Sequence, residues 1–519
     1  MRLFSATLLV SVIIELLGGN AIWASKTTDR PNVIIMVADD LGYADLAFLD
    51  HSSADVKKLG TPNLDRIAAM GTYFTNAYAT SPICSPSRCG LITGSYQQRW
   101  GNYWYGQGGL PKGRATIPLV LKKLGYHNVK IGKTHLNGGA AQHPLDHGFD
   151  EFLGFIHHTW DYIRLSQKDV DAYKQRAKGK GLGILKVGPL MKNRDQKVSL
   201  EGAFTTKVFT DRAIEGIEET DDDQPFYIEL EYNAVHQPTY VTSPLWSRKV
   251  GLDVPEWQRD APDTWTFPYW DPQKSSWNAW HKRWGHLGEI DPLGRKRYLS
   301  HLIAMDHHIG RILGALEKSN KINDTVLVFL SDNGGTINTY SNNTPLRGWK
   351  YMFGEGGIRI PMIIAYADRL PKGQRKTGLV SAMDVMPTVI ELAGGVAPKG
   401  LDGRSLLPLI TDSKDFDNHE YLCWAKGGNK GARVIRKGPW KLTRDSGWEH
   451  SNFKIIDGKA IRDPNPVTYP GGVALFDLGK DIGERNNVAD KNPEIVEQLT
   501  TLFDNWRSKL ANPRRAKKK

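Results

Sequence analysis

Asn32-Val33-Ile34-Ile35-Met36-Val37-Ala38-Asp39-Asp40 is the stretch that decides how this chain is read. Six apolar residues follow one another without alternation, the pattern of a strand buried on both faces of a parallel or mixed sheet. The run stops on two adjacent carboxylates. Much later the pattern recurs, with Thr325 to Leu330 ending in Ser331-Asp332-Asn333-Gly334-Gly335. In open α/β sheets functional groups gather where strands end, so these two acid and amide pairs are the first candidates for a site.

Outward from these strands the elements alternate. Thr61-Pro62-Asn63 opens a helix with Leu64, Ile67 and Ala68 at helical spacing. A helix at 117–124, a strand at 128–131, a helix at 203–219 and a strand at 226–231 come next. A long helix over 297–318, a strand at 361–365 and a helix at 382–392 complete the series. The fold class is α/β, a large mixed sheet with helices on both faces, assigned to residues 25–411. Beyond 412 the pattern shifts to short strands at 432–435, 441–443 and 474–476 between Gly and Pro turns, then a helix at 493–510. That predicts a smaller C-terminal antiparallel sheet with a packed helix, ending in a basic tail.

The chain has 519 residues, 40% hydrophobic and 24% charged, with a formal net charge of +12. Length and apolar content exclude a single small module and a disordered chain. The charge is localised. Arg514, Arg515, Lys517, Lys518 and Lys519 carry five of the twelve, and Arg164 to Lys197 holds ten Lys/Arg against three Asp. The remainder sums to zero, which speaks against a nucleic-acid-binding coat and leaves one internal basic segment of interest. Met1-Arg2 followed by the apolar stretch Leu8 to Leu17 predicts a signal peptide over residues 1–24, although Glu15 is atypical. That stretch is too short to span a bilayer, and no later one qualifies. The expectation is an exported protein, periplasmic or secreted and bacterial, without a stable membrane anchor. Cys84, Cys89 and Cys423 are too few for a disulfide scaffold, and pairing of Cys89 with Cys84 or Cys423 stays open. Seven of sixteen Trp fall between His236 and Arg297. They pin down an irregular loop, serve as stacking platforms for sugar rings, or divide the two tasks.

Cys84-Ser85-Pro86-Ser87-Arg88, running on through Leu91-Ile92-Thr93-Gly94, is the densest chemical signal. A Cys ahead of a helix with a cation four residues on reads as an activated thiol, or as an ordinary buried Cys where a helix begins. Asp39, Asp40, Asp332 and Asn333 are hard oxygen donors suited to Ca²⁺ or Mg²⁺, while either pair alone also suits a turn with a helix cap. Lys133 and His135 in Lys133-Thr134-His135, His236 in Val235-His236-Gln237-Pro238, and Lys350 after Pro345-Leu346-Arg347-Gly348 add candidates that gain weight only together.

Together these motifs resemble the type I sulfatases of the alkaline phosphatase superfamily over almost the whole chain. Pro31 to Gly42 looks like the opening strand and metal loop, and Cys84 to Gly94 matches the family signature. Gly132-Lys133-Thr134-His135-Leu136 is similar to the second signature, with Thr134 in place of a more usual aromatic. Asp324 to Gly335 and Leu475-Phe476-Asp477-Leu478 resemble later blocks. The resemblance implies that Cys84 is oxidised by a formylglycine-generating maturation enzyme to Cα-formylglycine. Its hydrate attacks sulfur, and collapse to the aldehyde then expels sulfate. It implies Asp39, Asp40, Asp332 and Asn333 as cation ligands with residue 84, and Arg88 as the group holding the diol. Lys133 and Lys350 would bind sulfate, His236 would protonate the leaving alcohol, and His135 would release sulfate. Phosphodiester or phosphonate monoester hydrolysis, and a non-catalytic glycan-binding role, are the alternatives within that superfamily. The expected substrate is a sulfated carbohydrate, a polysaccharide such as a carrageenan, or an oligosaccharide. His157, His158, Trp160, Asp161, Tyr162, Arg164 and Arg347 are candidates for its leaving-group side.

Overall fold

The computed structural model of the protein describes residues 30–136, 143–158, 162, 190–198, 200, 202–221, 223–237, 239, 242–253, 293–413, 419–427, 431–444, 453–456, 459–462 and 472–513. Its strands in chain order begin with β1 (Asn32–Ala38), β2 (Gly71–Phe74), β3 (Ala77–Tyr78), β4 (His127–Lys133), β5 (Glu151–Phe155) and β6 (Leu190–Lys192). Next come β7 (Gln196–Val198), β8 (Phe226–Glu231), β9 (Thr325–Ser331), β10 (Met362–Tyr366), β11 (Gln374–Lys376) and β12 (Val380–Ser381). The C-terminal region holds β13 (Leu422–Ala425), β14 (Arg433–Lys437), β15 (Trp440–Arg444), β16 (Phe453–Ile456), β17 (Lys459–Arg462) and β18 (Val473–Asp477).

Ten of these form one sheet in the order β11-β2-β10-β9-β1-β8-β4-β5-β6-β7. Its centre, β9-β1-β8-β4-β5, is parallel throughout, and β10, β6 and β7 add antiparallel pairings on the flanks. The expected mixed sheet is therefore present. β1 lies in the middle and is buried on both sides, as its unbroken apolar run requires. Ile34 and Met36 join one core with Leu64 and Ile67, Phe209, and Leu302, Met305 and Ile309. These come from the helices Pro62–Met70, Thr205–Glu219 and Gly294–Lys318. Val33, Ile35 and Val37 join the other, with Cys89 and Ile92, Leu121, and Val385 and Val389. Here the covering helices are Cys84–Thr93, Ile117–Lys123 and Val385–Leu392. Two differences from the sequence reading matter. β4 extends to Lys133, so this residue ends a strand instead of following one. The helix expected over 382–392 is a tight turn, Ala382–Asp384, leading into a shorter helix.

β13-β14-β15-β18 form the expected antiparallel C-terminal sheet, with the helix Pro493–Ser508 packed on it through Leu499, Phe503 and Trp506. Polar groups buried at the junction bind it to the main sheet. Lys441 of β15 reaches Glu355 at 3.0 Å and Glu484 at 2.8 Å. Glu484 accepts the backbone N–H of Glu355 at 2.7 Å, and the Tyr78 hydroxyl donates to Glu355 at 2.6 Å. One fully buried ammonium thus serves two buried carboxylates. All three cysteines are free thiols, so neither candidate pairing occurs. Among the described residues no helix is long and apolar enough to cross a membrane.

Removing the shared cation strands both carboxylates in a low-dielectric setting. Lys441→Met is expected to cost about 3–5 kcal/mol, read as a lower urea midpoint at unchanged slope.

Candidate active site

Strand pairing builds the site. Ala38 pairs with Ser331, Val37 with Glu231, Gly132 with Glu231, and Lys133 with Phe155. The residues at or just beyond these pairs, Asp39, Asp332, Glu231 and Lys133, consequently emerge side by side at the carboxyl edge of the sheet. Close approach is built in at Gly132, whose φ is +88° and where a Cβ would stand 2.0 Å from the Glu231 carbonyl oxygen. Asp40 turns sharply away at φ +62°. Its loop is fixed by Tyr298, whose hydroxyl accepts from Gly42 N–H at 3.2 Å and donates to Asp45 at 2.7 Å. Arg295 holds the other Asp45 oxygen at 2.7 Å.

Cys84 is the first residue of its helix, and its Sγ lies 3.9 Å from Asp39. Burial pushes the thiol up to about 12, against the opposing pull of Lys133 and Lys350. One turn on, Arg88 binds Asp332 through Nε at 3.0 Å and a terminal nitrogen at 2.7 Å, and that nitrogen lies 3.4 Å from Asp39. Its other terminal nitrogen holds Glu231. Lys133 pairs with Asp39 at 2.5 Å, and Lys350 with Asp40 at 2.7 Å. Burial works against the charge on Asp39, but Lys133, Arg88 and Lys350 overcome it and hold the carboxyl below its usual range.

The donor set fits a hard divalent cation. One ligand atom from each of Asp39, Asp40, Cys84 and His236 lies within 4.8 Å of the others. Asn333 donates its amide to Asp40 at 2.7 Å, while its buried Oδ1 has no hydrogen-bond partner. An unpartnered buried amide oxygen beside clustered carboxylates is the arrangement that oxygen-ligated Ca²⁺ or Mg²⁺ satisfies.

His236 stands 3.5 Å from Asp40, with its Nδ1 2.7 Å from the Gln237 carbonyl. Burial, then Lys350, pushes its pKa well below the ordinary value, so the ring is neutral at neutral pH. The same holds for His135, through burial and Lys133. A neutral imidazole accepts a proton readily, and passing one on requires that it be charged first. His158 follows β5 and sits 6.0 Å, centroid to centroid, from His135; His157 is exposed.

Not every candidate converges here. Trp160, Asp161 and Arg164 lie outside the described residues, as do the signal segment, the basic tail and six of the seven clustered Trp. Tyr162 is fully buried. Its hydroxyl faces the carbonyls of Asn233 at 2.6 Å and His236 at 2.8 Å, so it anchors the His236 loop. Arg347 is half-buried, and its charge opposes the burial that raises the Glu484 carboxyl, which places it toward the C-terminal network. Trp246 is buried against His307 and is a packing residue. Of the basic segment, Arg194 is paired with Asp146 at 2.8 Å.

The structure also adds a layer that the motifs did not announce. Behind Arg88, Lys130 pairs with Glu229 at 2.5 Å and Glu231 at 2.9 Å, and Tyr227 donates to Glu229. Burial pushes Glu231 up, whereas at Glu229 Lys130 overcomes burial and holds the carboxyl down. Charged residues inside two strands buried on both faces were the available signal.

With this geometry in view, comparison with known proteins decides the class. Residues 31–396 match the Sulfatase family model. The chain belongs to the sulfatase family. Residues 348–509 also match the model described as N-sulphoglucosamine sulphohydrolase, C-terminal. N-acetylgalactosamine-6-sulfatase of Homo sapiens is 26% identical over 506 residues, covering 92% of this chain and 85% of that protein. Arylsulfatase A of Bos taurus is 28% identical over 494 residues, covering 90% and 85%. The crystal structure of Ps i-CgsB in complex with k-i-k-neocarrahexaose superimposes with a TM-score of 0.70 at 27% identity, covering 93% of this chain and 94% of that one. This sulfatase is a sulfuric ester hydrolase with the alkaline-phosphatase-like fold.

The His301 ring lies against Tyr162, centroids 3.9 Å apart and planes tilted by 33°, and thereby backs the His236 loop. Burial pushes its pKa down to about 3. The unfolded chain binds a proton there below about pH 6.5 and the folded chain does not, so its contribution is complete above that pH and is lost as pH falls. Between pH 7 and 5 this one ring accounts for about 2 kcal/mol of lost stability. His301→Gln should shrink the difference in unfolding free energy between those pH values by that amount.

Proposed function

We propose that this sulfatase removes sulfate from a sulfated carbohydrate chain. In this reading residue 84 acts as Cα-formylglycine, beside a divalent cation seated on Asp39, Asp40, Asp332 and Asn333. Ca²⁺ is the first choice and Mg²⁺ the second. The observation that carries the reading is the setting of Cys84. Its buried Sγ lies 3.9 Å from Asp39, the carboxylate that Lys133 and Arg88 also hold. An oxygen nucleophile made from the same side chain suits the hard donors around it. When bound, the cation supplies positive charge that acidifies a hydroxyl and neutralises charge on the ester.

The chain's own groups then divide the work. Arg88, fixed between Asp332 and Glu231, holds and orients residue 84. Asp332 accepts the proton of the attacking hydroxyl. Lys133 and Lys350 bind sulfate oxygens and stabilise the charge that develops as the ester bond breaks. His236 takes up a proton from solvent and hands it to the leaving alcohol, and His135 takes the proton whose removal frees sulfate. His157 and His158 flank the leaving group, with Trp160, Asp161 and Arg164 as further substrate contacts. A sugar substrate is supported by the relatives, one named for N-acetylgalactosamine and one bound to a carrageenan oligosaccharide. Export through residues 1–24 and maturation by a formylglycine-generating enzyme belong to the same reading.

Mass spectrometry of the peptide containing residue 84 should show thiomethyl replaced by aldehyde. Cys84→Ala should lose at least ~10³-fold in kcat/KM on sulfated oligosaccharides. Chelation should abolish turnover and lower the melting temperature, with both restored by Ca²⁺. Phosphodiester turnover faster than sulfate release, or an active Cys84→Ala protein, overturns the reading.

A further inference from the structure

Lys350 is followed by a residue in an uncommon conformation. Tyr351 has φ +76°, a left-handed geometry that is costly for a bulky side chain and that persists where the surroundings impose it. The Lys350 ammonium lies 5.6 Å from the Tyr351 ring centroid. The Tyr351 backbone N–H donates to the Pro82 carbonyl at 2.8 Å, two residues before Cys84. Trp104 comes next, with its centroid 6.3 Å from Tyr351, 6.4 Å from Phe353 and 6.2 Å from Tyr105. Tyr105 is 50% exposed, one of few large apolar side chains so exposed among the described residues. The Lys426 ammonium lies 4.6 Å from the Trp104 ring centroid, brought there by the segment after β13.

The loop carrying these aromatics is held in place. Gln107 accepts the backbone N–H of Tyr103 and of Trp104, each at 2.9 Å. An aromatic row thus runs outward from the sulfate-binding lysine and ends beside a cation. Sugar rings offer apolar C–H faces to such rings, and a sulfated neighbour supplies the anion that Lys426 complements.

We propose that Trp104, Tyr105, Tyr351 and Lys426 form a saccharide subsite next to the reaction centre. It holds a sugar ring adjoining the one that loses sulfate, and Lys426 meets an anionic substituent on that ring. The proposal rests on the carbohydrate reading above and adds to it a demand for more than one sugar unit.

The test compares kcat/KM on hexasaccharides of κ-carrageenan, chondroitin 6-sulfate and heparan sulfate with that on 4-methylumbelliferyl sulfate. In Tyr105→Ala and Lys426→Gln, the ratio of the hexasaccharide value to the aryl value should fall at least tenfold, mainly through KM. Tyr351→Gly, which removes the ring and suits the backbone, should lower the same ratio. Melting temperatures identify variants that fail to fold, and exposed Tyr105 with half-buried Lys426 carries the result if Tyr351→Gly is one of them. A ratio within twofold of wild type in both Tyr105→Ala and Lys426→Gln overturns the subsite and leaves the carbohydrate reading intact. A wild type that cleaves the aryl ester but none of the three hexasaccharides overturns both.

Discussion

Four buried carboxylates at one edge of a parallel sheet set the terms for the rest of this molecule. Asp39, Asp40, Asp332 and Glu231 are each at most 3% exposed. Like charges this deep are tolerable only with counter-charges at contact distance. No single element supplies them. Arg88 comes from a helix on one face, Lys133 from β4, and Lys350 from the loop that precedes the C-terminal contacts. The site therefore exists only when sheet, helix and loop are assembled, and its charge balance couples catalytic geometry to folding.

The same economy appears one layer out. Lys130 serves Glu229 and Glu231 as Lys441 serves Glu355 and Glu484, one ammonium to two acids in each case. The first network steadies Arg88 from behind. The second fastens the turn beyond Lys350 to the C-terminal sheet, and the proposed saccharide subsite lies on that side of the site. Neutral, buried groups complete the frame, with Tyr298 fixing the Asp40 loop and Tyr162 the His236 loop. Cations and carboxylates fill the site, and tyrosine hydroxyls hold the loops that present them.

How much was legible beforehand depended on the kind of signal. Apolar runs ending in Asp39-Asp40 and Asp332-Asn333 announced buried strands and a donor set, because burial on both faces suppresses alternation. Cys84 and Arg88 were legible as a motif, since four residues of helix bring them to one face. β5 was not, because its five residues include Gly154 and its face is only partly covered. The length of β4 was misjudged for a related reason. Lys130 and Lys133 look like surface residues until their partners on β8 and beyond β1 are known.

Sequence alone determined the α/β class and the strand ends that carry the acids, both of them consequences of local pattern. Tertiary structure alone decided which acid each cation serves. It also decided that Tyr162 anchors the His236 loop, that the Arg347 charge bears on Glu484, and that Trp104 stands beside Tyr351. The reason is register. Parallel pairing joins residues separated by most of the chain, and periodicity along one strand carries no information about which rung of the next it will meet.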